Sequence, residues 1–307
     1  MVGDPGRNGG GGRRVRRRRL REQTILGWAF SSPVLLIIGV LVLYPLIRGL
    51  LMSFQSLDLS SGGDGSFVGL RNYSAVLRDP QTEAAALHTL GYVGCAVVIE
   101  IVGGLMVALA LNRPFRGRGL VFAAMILPWA LPHVVSGVLW SRIFNPDSGL
   151  LNSALIQLHL THTNHAWFDN PYAAIFLISL VHVWGALPLT TLILLAGLQS
   201  IPANIYAAAE LDGAGAVRQF RTMTLPLLRP ALGIALTTGT IAAFAIFDEI
   251  YVLAGSAYST RSMMTQVYLT TFSGGDFGQG SALAYLLTLA TAIFGIAYVR
   301  RLGRAAP

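Results

Sequence analysis

The chain has 307 residues, 53% hydrophobic and 12% charged, with a formal net charge of +8. It is too apolar for an ordinary soluble domain and has the length of a polytopic membrane protein. All 22 basic residues are arginines and the one cysteine is Cys95, which excludes an internal disulfide and any phosphate-binding loop ending in Gly-Lys-Ser/Thr, so by that signature the chain does not bind ATP itself.

Residues 1–24 are rich in glycine and arginine, as in GRNGGGGRRVRRRRLR, and are expected to form a disordered arm. The arm runs straight into an apolar stretch, which argues against a nucleic-acid-binding arm, since no soluble domain is there to deliver it. That stretch is also too long for the core of a cleaved signal peptide and reads as a retained first span. Six segments come near the ~20 apolar residues a bilayer-crossing helix needs: residues 25–44, 92–111, 120–144, 173–198, 231–253 and 282–299. The expected fold is therefore an all-α integral membrane protein, one domain over residues 25–303 with a short tail at 304–307.

Seventeen of the arginines fall before the first span, in the second and fourth loops, or in the tail, against Arg48, Arg71, Arg78, Arg142 and Arg261 on the other side. Positive charge concentrates in cytoplasmic segments, so both termini are expected to be cytoplasmic. The outward loops, about 55–89, 145–171 and 254–280, are too small for a further domain.

Prolines punctuate several spans: Pro33 in the first, Pro128 and Pro132 in the third, Pro188 in the fourth. Each removes a backbone donor and predicts kinks around a cavity, or simply shaped packing. Ionisable groups inside spans are costly and mark functional candidates. Glu100 is expected to face the bundle interior, as a structural hydrogen-bond partner or on a substrate path. Asp248 and Glu249 are expected near the outward end of the fifth span, within reach of interfacial water, with at most one pointing down a pore. Trp140, His182, Trp184 and Tyr251 are candidates for contact with a ligand having apolar and hydroxylated faces, against the alternatives of interfacial anchors and packed side chains. His159, His162 and His165 recur at steps of three in HLTHTNH, either a solvated loop or a metal-gathering turn; no metal site is expected.

The fourth loop, 199–230, faces the cytoplasm in this orientation and is long for a simple connection. Residues 203–211 favour helix, DGAG breaks it, and a second short helix is expected to end near Pro226, with Pro230 leading into the next span. Ala207, Ala208 and Ala209 present little side chain, whether for close approach of another surface or for packing within this chain.

The stretch 206–226 resembles the signature loop of the membrane subunits of binding-protein-dependent ABC importers: Glu-Ala-Ala, three residues, Gly, nine residues, Ile, one residue, Leu-Pro. Ala208 and Ala209 match the alanines, Gly213 the glycine with Asp212 and Ala214 beside it, Met223 stands for the isoleucine, and Leu225 and Pro226 close the motif. Ala207 stands where the family usually has glutamate, so an ionic contact from that position is not carried over. FVGLRNYSAVLRDP (67–80), AFAIFDEIYVLAGSAYSTRSMMTQVYL (243–269) and FGQGSALAYLL (277–287) extend the likeness to the carbohydrate-uptake branch, similar to maltose, trehalose and glycerol-phosphate permeases.

The resemblance implies a type I importer permease of six transmembrane helices in a prokaryotic inner membrane. It implies a second permease subunit as heterodimer partner, two copies of a cytoplasmic ATPase that hold ATP and Mg, and an extracytoplasmic binding protein delivering a sugar or sugar derivative. The chain itself would be non-catalytic and cofactor-free, with its loop docking on the ATPase. Two other classes stay in view: a stand-alone secondary carrier, disfavoured by the lack of a second, similar half, and an intramembrane enzyme using Glu100, His182, Asp248 or Glu249, which no catalytic motif supports.

Overall fold

The computed structural model describes residues 31–59 and 62–303; the expected arm at 1–24 and the tail at 304–307 lie outside them. Among the described residues every regular element is helical, and pairing of extended chain is limited to isolated bridges such as Gln55 with Phe67. The chain divides into two units between Met52 and Ser53.

The described residues of the first unit form one long apolar helix, α1 (Ser31–Met52), in which no described side chain is buried. It continues eight residues beyond the expected end at Tyr44. Pro45 does not stop it, because a π-helical turn over Gly39–Leu43 loosens the ladder just ahead of the residue that cannot donate.

The second unit is organised around α3 (Pro80–Leu111) and α7 (Pro171–Gln199), with the short helices α2 (Arg71–Arg78) and α6 (Leu150–Gln157) ahead of them. Both begin with a side-chain cap followed by proline at the first helical position: Asp79 accepts from the amide of Gln81, and Asn170 from those of Tyr172 and Ala173. Their long contact is made possible by glycines. A Cβ on Gly104 would lie 2.8 Å from Thr190 Cγ2, and one on Gly103 3.1 Å from Leu187 Cδ1. Without the hydrophobic effect to hold helices together in lipid, such close backbone approach supplies the packing contact. α7 contains Pro188 yet runs unbroken, so that proline shapes packing and does not divide the span.

Two segments expected to be single spans are broken. The third is α4 (Arg118–Ala130), ending in a 3-10 turn, and α5 (His133–Ile143), which meet at 102°. Leu131 is extended, with φ −86° and ψ 138°, as the residue before proline prefers, and Pro132 then starts a new helix. The fifth is α10 (Arg229–Phe244), then Ala245–Phe247 outside any helix, then α11 (Asp248–Ala254). The apolar length attributed to one straight helix over 231–253 is thus shared between two. Four helices are long and apolar enough to cross a membrane: α1, α3, α7 and the last, α13 (Phe277–Gly303); up to six spans result if two bent pairs, α4 with α5 and residues 216–227 with α10, each count as one.

The largest core lies where α3, α7, α10, α11 and α13 meet, around Tyr92, Ile178, Phe244, Ile250 and Leu283. A second, around Ala108, Leu111, Leu194, Leu198 and Leu228, joins the far ends of α3 and α7 to the start of α10. Polar groups pin the connection after α11: Tyr92 Oη donates to the Thr260 carbonyl at 2.8 Å, and the Met263 amide at the start of α12 (Met263–Tyr268) donates to Thr89 Oγ1 at 2.8 Å.

Candidate functional site

The loop between α7 and α10 folds as two helical arms, α8 (Ala203–Leu211) and α9 (Ala216–Leu227). Gly213 turns the chain between them with φ +73°. The Gly213 amide bonds the Glu210 carbonyl at 3.0 Å and the Ala214 amide bonds the Ala209 carbonyl at 2.9 Å, the paired closure of a Schellman cap that favours glycine. Tyr206 Oη and Thr224 Oγ1, 3.0 Å apart, tie the arms together, and Gln219 Nε2 donates to the Ala214 carbonyl at 2.9 Å.

The three alanines separate. Ala209 is buried within the chain, whereas Ala207 and Ala208 are exposed, as are Asp212 and Gly213. Packing within this chain therefore accounts for Ala209 and leaves Ala207 and Ala208 uncovered. The second arm ends near Pro226 as expected: Leu225 and Pro226 are half-buried within the last turn of α9, which runs to Leu227, and the chain bends by 67° at Leu228. Pro230 occupies the opening turn of α10, where no N–H is needed, and Pro226 follows directly on the π turn over Phe220–Thr224 within α9. Sequence reading missed the exposed apolar side chains flanking the bend, Leu211 (90% exposed) and Val217 (70% exposed). Their signal was available: apolar residues directly beside DGAG, with nothing opposite to cover them. Beneath the arms, a groove of about 670 Å³ is lined by Arg113, Tyr206, Glu210, Val217 and Phe220.

The intramembrane candidates fall into separate groups. Glu100 is buried in α3; Thr190 Oγ1 donates to its Oε1, and Gly239 of α10 is so close that an added Cβ would lie 2.9 Å from Oε2. It thus joins three helices and faces the interior, as expected.

Glu249 does not reach interfacial water. The break before α11 turns it inward, and it is 2% exposed. His133 Nδ1, on the first residue of α5, and His182 Nδ1, in mid α7, both lie 3.0 Å from Glu249 Oε1, with the two rings stacked at 5.8 Å. His133 escaped notice in the sequence because only the Pro132 break places it there. Asp248 is half-buried. Loop residues His159, His162 and His165 form no cluster of three metal-ligating groups among the described residues.

The aromatic candidates lie in two clusters. Trp140 meets Trp184 edge-on at 5.8 Å and stacks on Phe144 at 5.4 Å. Tyr251 stacks on Phe247 at 5.5 Å and meets Tyr268 edge-on at 5.4 Å; Tyr268 in turn touches Phe272. Tyr251 and Phe272 remain exposed at 43% and 67%, so this second cluster presents open ring surface. Phe247, Tyr268 and Phe272 are further aromatics that the sequence pattern did not single out.

Comparison with known proteins places this architecture. Residues 100–302 match the family described as "Binding-protein-dependent transport system inner membrane component". The chain is 36% identical over 278 residues to the trehalose/maltose transport system permease protein MalF of Thermococcus litoralis, covering 90% of this chain and 92% of that protein. It is 32% identical over 282 residues to the trehalose transport system permease protein SugA of Mycobacterium tuberculosis, covering 92% and 90%. It is 33% identical over 278 residues to the sulfoquinovosyl glycerol transport system permease protein SmoG of Agrobacterium fabrum, covering 90% of each chain. A bacterial ABC transporter involved in alginate import shares the fold, with a TM-score of 0.81 at 19% identity over 95% of this chain and 100% of that one. With its two-armed loop, broken spans and apolar helices, the chain belongs to the family of inner-membrane permease components of binding-protein-dependent transport systems, which are non-catalytic parts of ABC importers.

Proposed function

We propose that this chain is one half of the pore of an ATP-driven importer for a sugar or sugar derivative, working as a heterodimer with a second permease. Two copies of a cytoplasmic ATPase, which hold the ATP and Mg, drive it, and an extracytoplasmic binding protein delivers the substrate. Relatives named for trehalose, maltose and sulfoquinovosyl glycerol transport support the substrate class. A solved alginate transporter in complex with a pentasaccharide-bound periplasmic protein, which shares the fold, supports the delivery. In this reading the chain sits in a prokaryotic inner membrane with six spans, the third running over α4 and α5 and the fifth over α10 and α11, and both termini cytoplasmic; the arginine distribution supports the orientation.

The observation that carries the reading is the loop between α7 and α10. Two short helices locked by a Schellman turn present Ala207, Ala208, Leu211, Asp212 and Val217 outward as a compact, mostly apolar knob. Such a knob suits docking into a groove of the ATPase, so that nucleotide-driven closure of the ATPase pair pulls on α9 and, through the 67° bend, on α10. α10 packs against α3 and α7, so its movement reaches the polar residues between those helices. Uptake follows if the ATP-bound state favours one pore opening and hydrolysis the other.

Trp140, Trp184, Asp248, Glu249, Tyr251 and Glu100 are assigned to or beside the substrate path. Open aromatic faces accept the C–H face of a sugar ring, while nearby polar groups take its hydroxyls. The test is co-expression with the ATPase and second permease, affinity purification, and binding-protein-dependent uptake of a panel of radiolabelled disaccharides into proteoliposomes. Failure of the ATPase to co-purify, or uptake independent of ATP, would overturn the reading in favour of a stand-alone carrier.

A further inference from the structure

We propose that His133, His182 and Glu249 form a binding site for one divalent transition-metal ion of the zinc class. Each residue comes from a different segment: the first residue of α5, the middle of α7 and the second residue of α11. Two of the three are in place because a span is broken, at Leu131-Pro132 and at Ala245–Phe247. Among the described residues no other group of His, Cys, Asp and Glu converges in this way.

The donor set and its spacing fit such an ion. One ligand atom from each residue can be chosen so that all lie within 4.8 Å of one another. Two imidazoles and one carboxylate are borderline nitrogen and oxygen donors of the kind that zinc, cobalt and nickel ions take. With metal–ligand distances of about 2.0–2.2 Å, tetrahedral donors stand about 3.3 Å apart. Both Nδ1–Oε1 distances here are 3.0 Å, so each imidazole needs to move only slightly from the carboxylate, and a fourth position is left for water.

An ion would take the place of the contacts these side chains now make with one another. In the structure both imidazoles present Nδ1 to one and the same carboxylate oxygen. His182 is 4% exposed, and its Nε2 is buried without a hydrogen-bond partner. The Glu249 contact alone therefore holds the His182 proton on Nδ1. An ion that replaces this contact frees the ring to carry its proton on Nε2 and offer Nδ1 as a lone pair. His133, whose side chain is 52% exposed, forms the open side of the site, whereas Glu249 and His182 supply the enclosed side. An ion there would fasten both broken spans to the central helix α7.

The proposal does not depend on the transport reading, because its readout is ion binding. The full chain, purified in lipid nanodiscs with any affinity tag removed, is titrated with zinc chloride by calorimetry, and with cobalt(II) while the visible absorption of a tetrahedral nitrogen–oxygen site is followed. One ion per chain is expected. His133→Ala, at a half-exposed position, should weaken binding at least tenfold while the elution profile stays unchanged, and Glu249→Gln should do the same. Simultaneous replacement of His159, His162 and His165 by alanine should leave binding intact. Absence of stoichiometric binding, equal affinity in the His133→Ala chain, or loss of binding in the triple loop variant would each overturn the site.

Discussion

A graded series at Gly213 tests whether the shape of the two-armed loop matters. Gly213 has φ +73°, and a Cβ placed there meets nothing within 4 Å. Substitution is therefore opposed by backbone conformation alone, not by a clash. Alanine in the left-handed region costs roughly 1–2 kcal/mol, whereas asparagine, which tolerates it, should cost less. Proline fixes φ near −65° and removes the amide that bonds the Glu210 carbonyl at 3.0 Å, so the native turn cannot form at all. The predicted order of ATPase retention and uptake is Gly, then Asn, then Ala, then Pro, with alanine reducing the correctly shaped loop about tenfold or more only if the alternative shapes are already near in energy. Each variant would be measured for co-purifying ATPase per chain and for ATP-driven uptake in proteoliposomes. Because Gly213 is exposed, insertion and folding of the spans should be unaffected across the series. Full coupling by the Gly213→Pro chain would refute the reasoning that this turn positions a docking surface.

Three further outcomes follow from packing. Leu211→Asp should leave thermal stability within about 0.5 kcal/mol, since the side chain is 90% exposed, yet lower the yield of co-purified ATPase; unchanged complex formation would remove Leu211 from the docking surface. Gly239→Ala should destabilise the chain by about 1–3 kcal/mol, because its Cβ would press on the Glu100 carboxylate that Thr190 holds in place. Adding Glu100→Asp, one methylene shorter, should recover part of that loss in a detergent melting assay, and no recovery would show that the clash lies elsewhere. Gly197→Ala should be at least as damaging, since the new carbon would lie 2.5 Å from Ala231 Cβ and 2.9 Å from Leu228 Cδ1; a native melting temperature in this variant would contradict the close crossing of α7 and α10.

Much of the helical architecture was legible in the sequence because apolar length is a strong signal, and α3, α7 and α13 contain the spans read from it. The broken spans were not legible for a specific reason. Hydropathy reports how apolar a segment is, not whether its axis is straight. Pro128 and Pro132 signalled a break in the third span, but Pro188 gave the same signal in α7 and caused none. The difference lies in tertiary surroundings, since α7 is packed along most of its length, whereas Leu131 and Pro132 are only partly covered or exposed. No residue inside the 245–247 interruption is a proline, and Gly239, the nearest preceding glycine, lies well within α10.

That interruption decides the chemistry of the site. A continuous helix over 231–253 would place Asp248 and Glu249 on successive faces near its outward end, within reach of interfacial water and with at most one pointing down a pore, which is the reading the sequence allows. Restarting the helix at Asp248 instead resets the angular position of Glu249, and its carboxylate meets imidazoles from α5 and α7. The partners were visible as residues, and His182 had been noted. Their convergence was not, because it depends on two backbone breaks in different spans. The same logic explains the loop: Gly213 as a turn could be read from its neighbours, while the burial of Ala209 beside exposed Ala208 follows from which face of α8 rests on the rest of the chain. Apolar length located the elements, and the irregular residues between them determined which side chains meet.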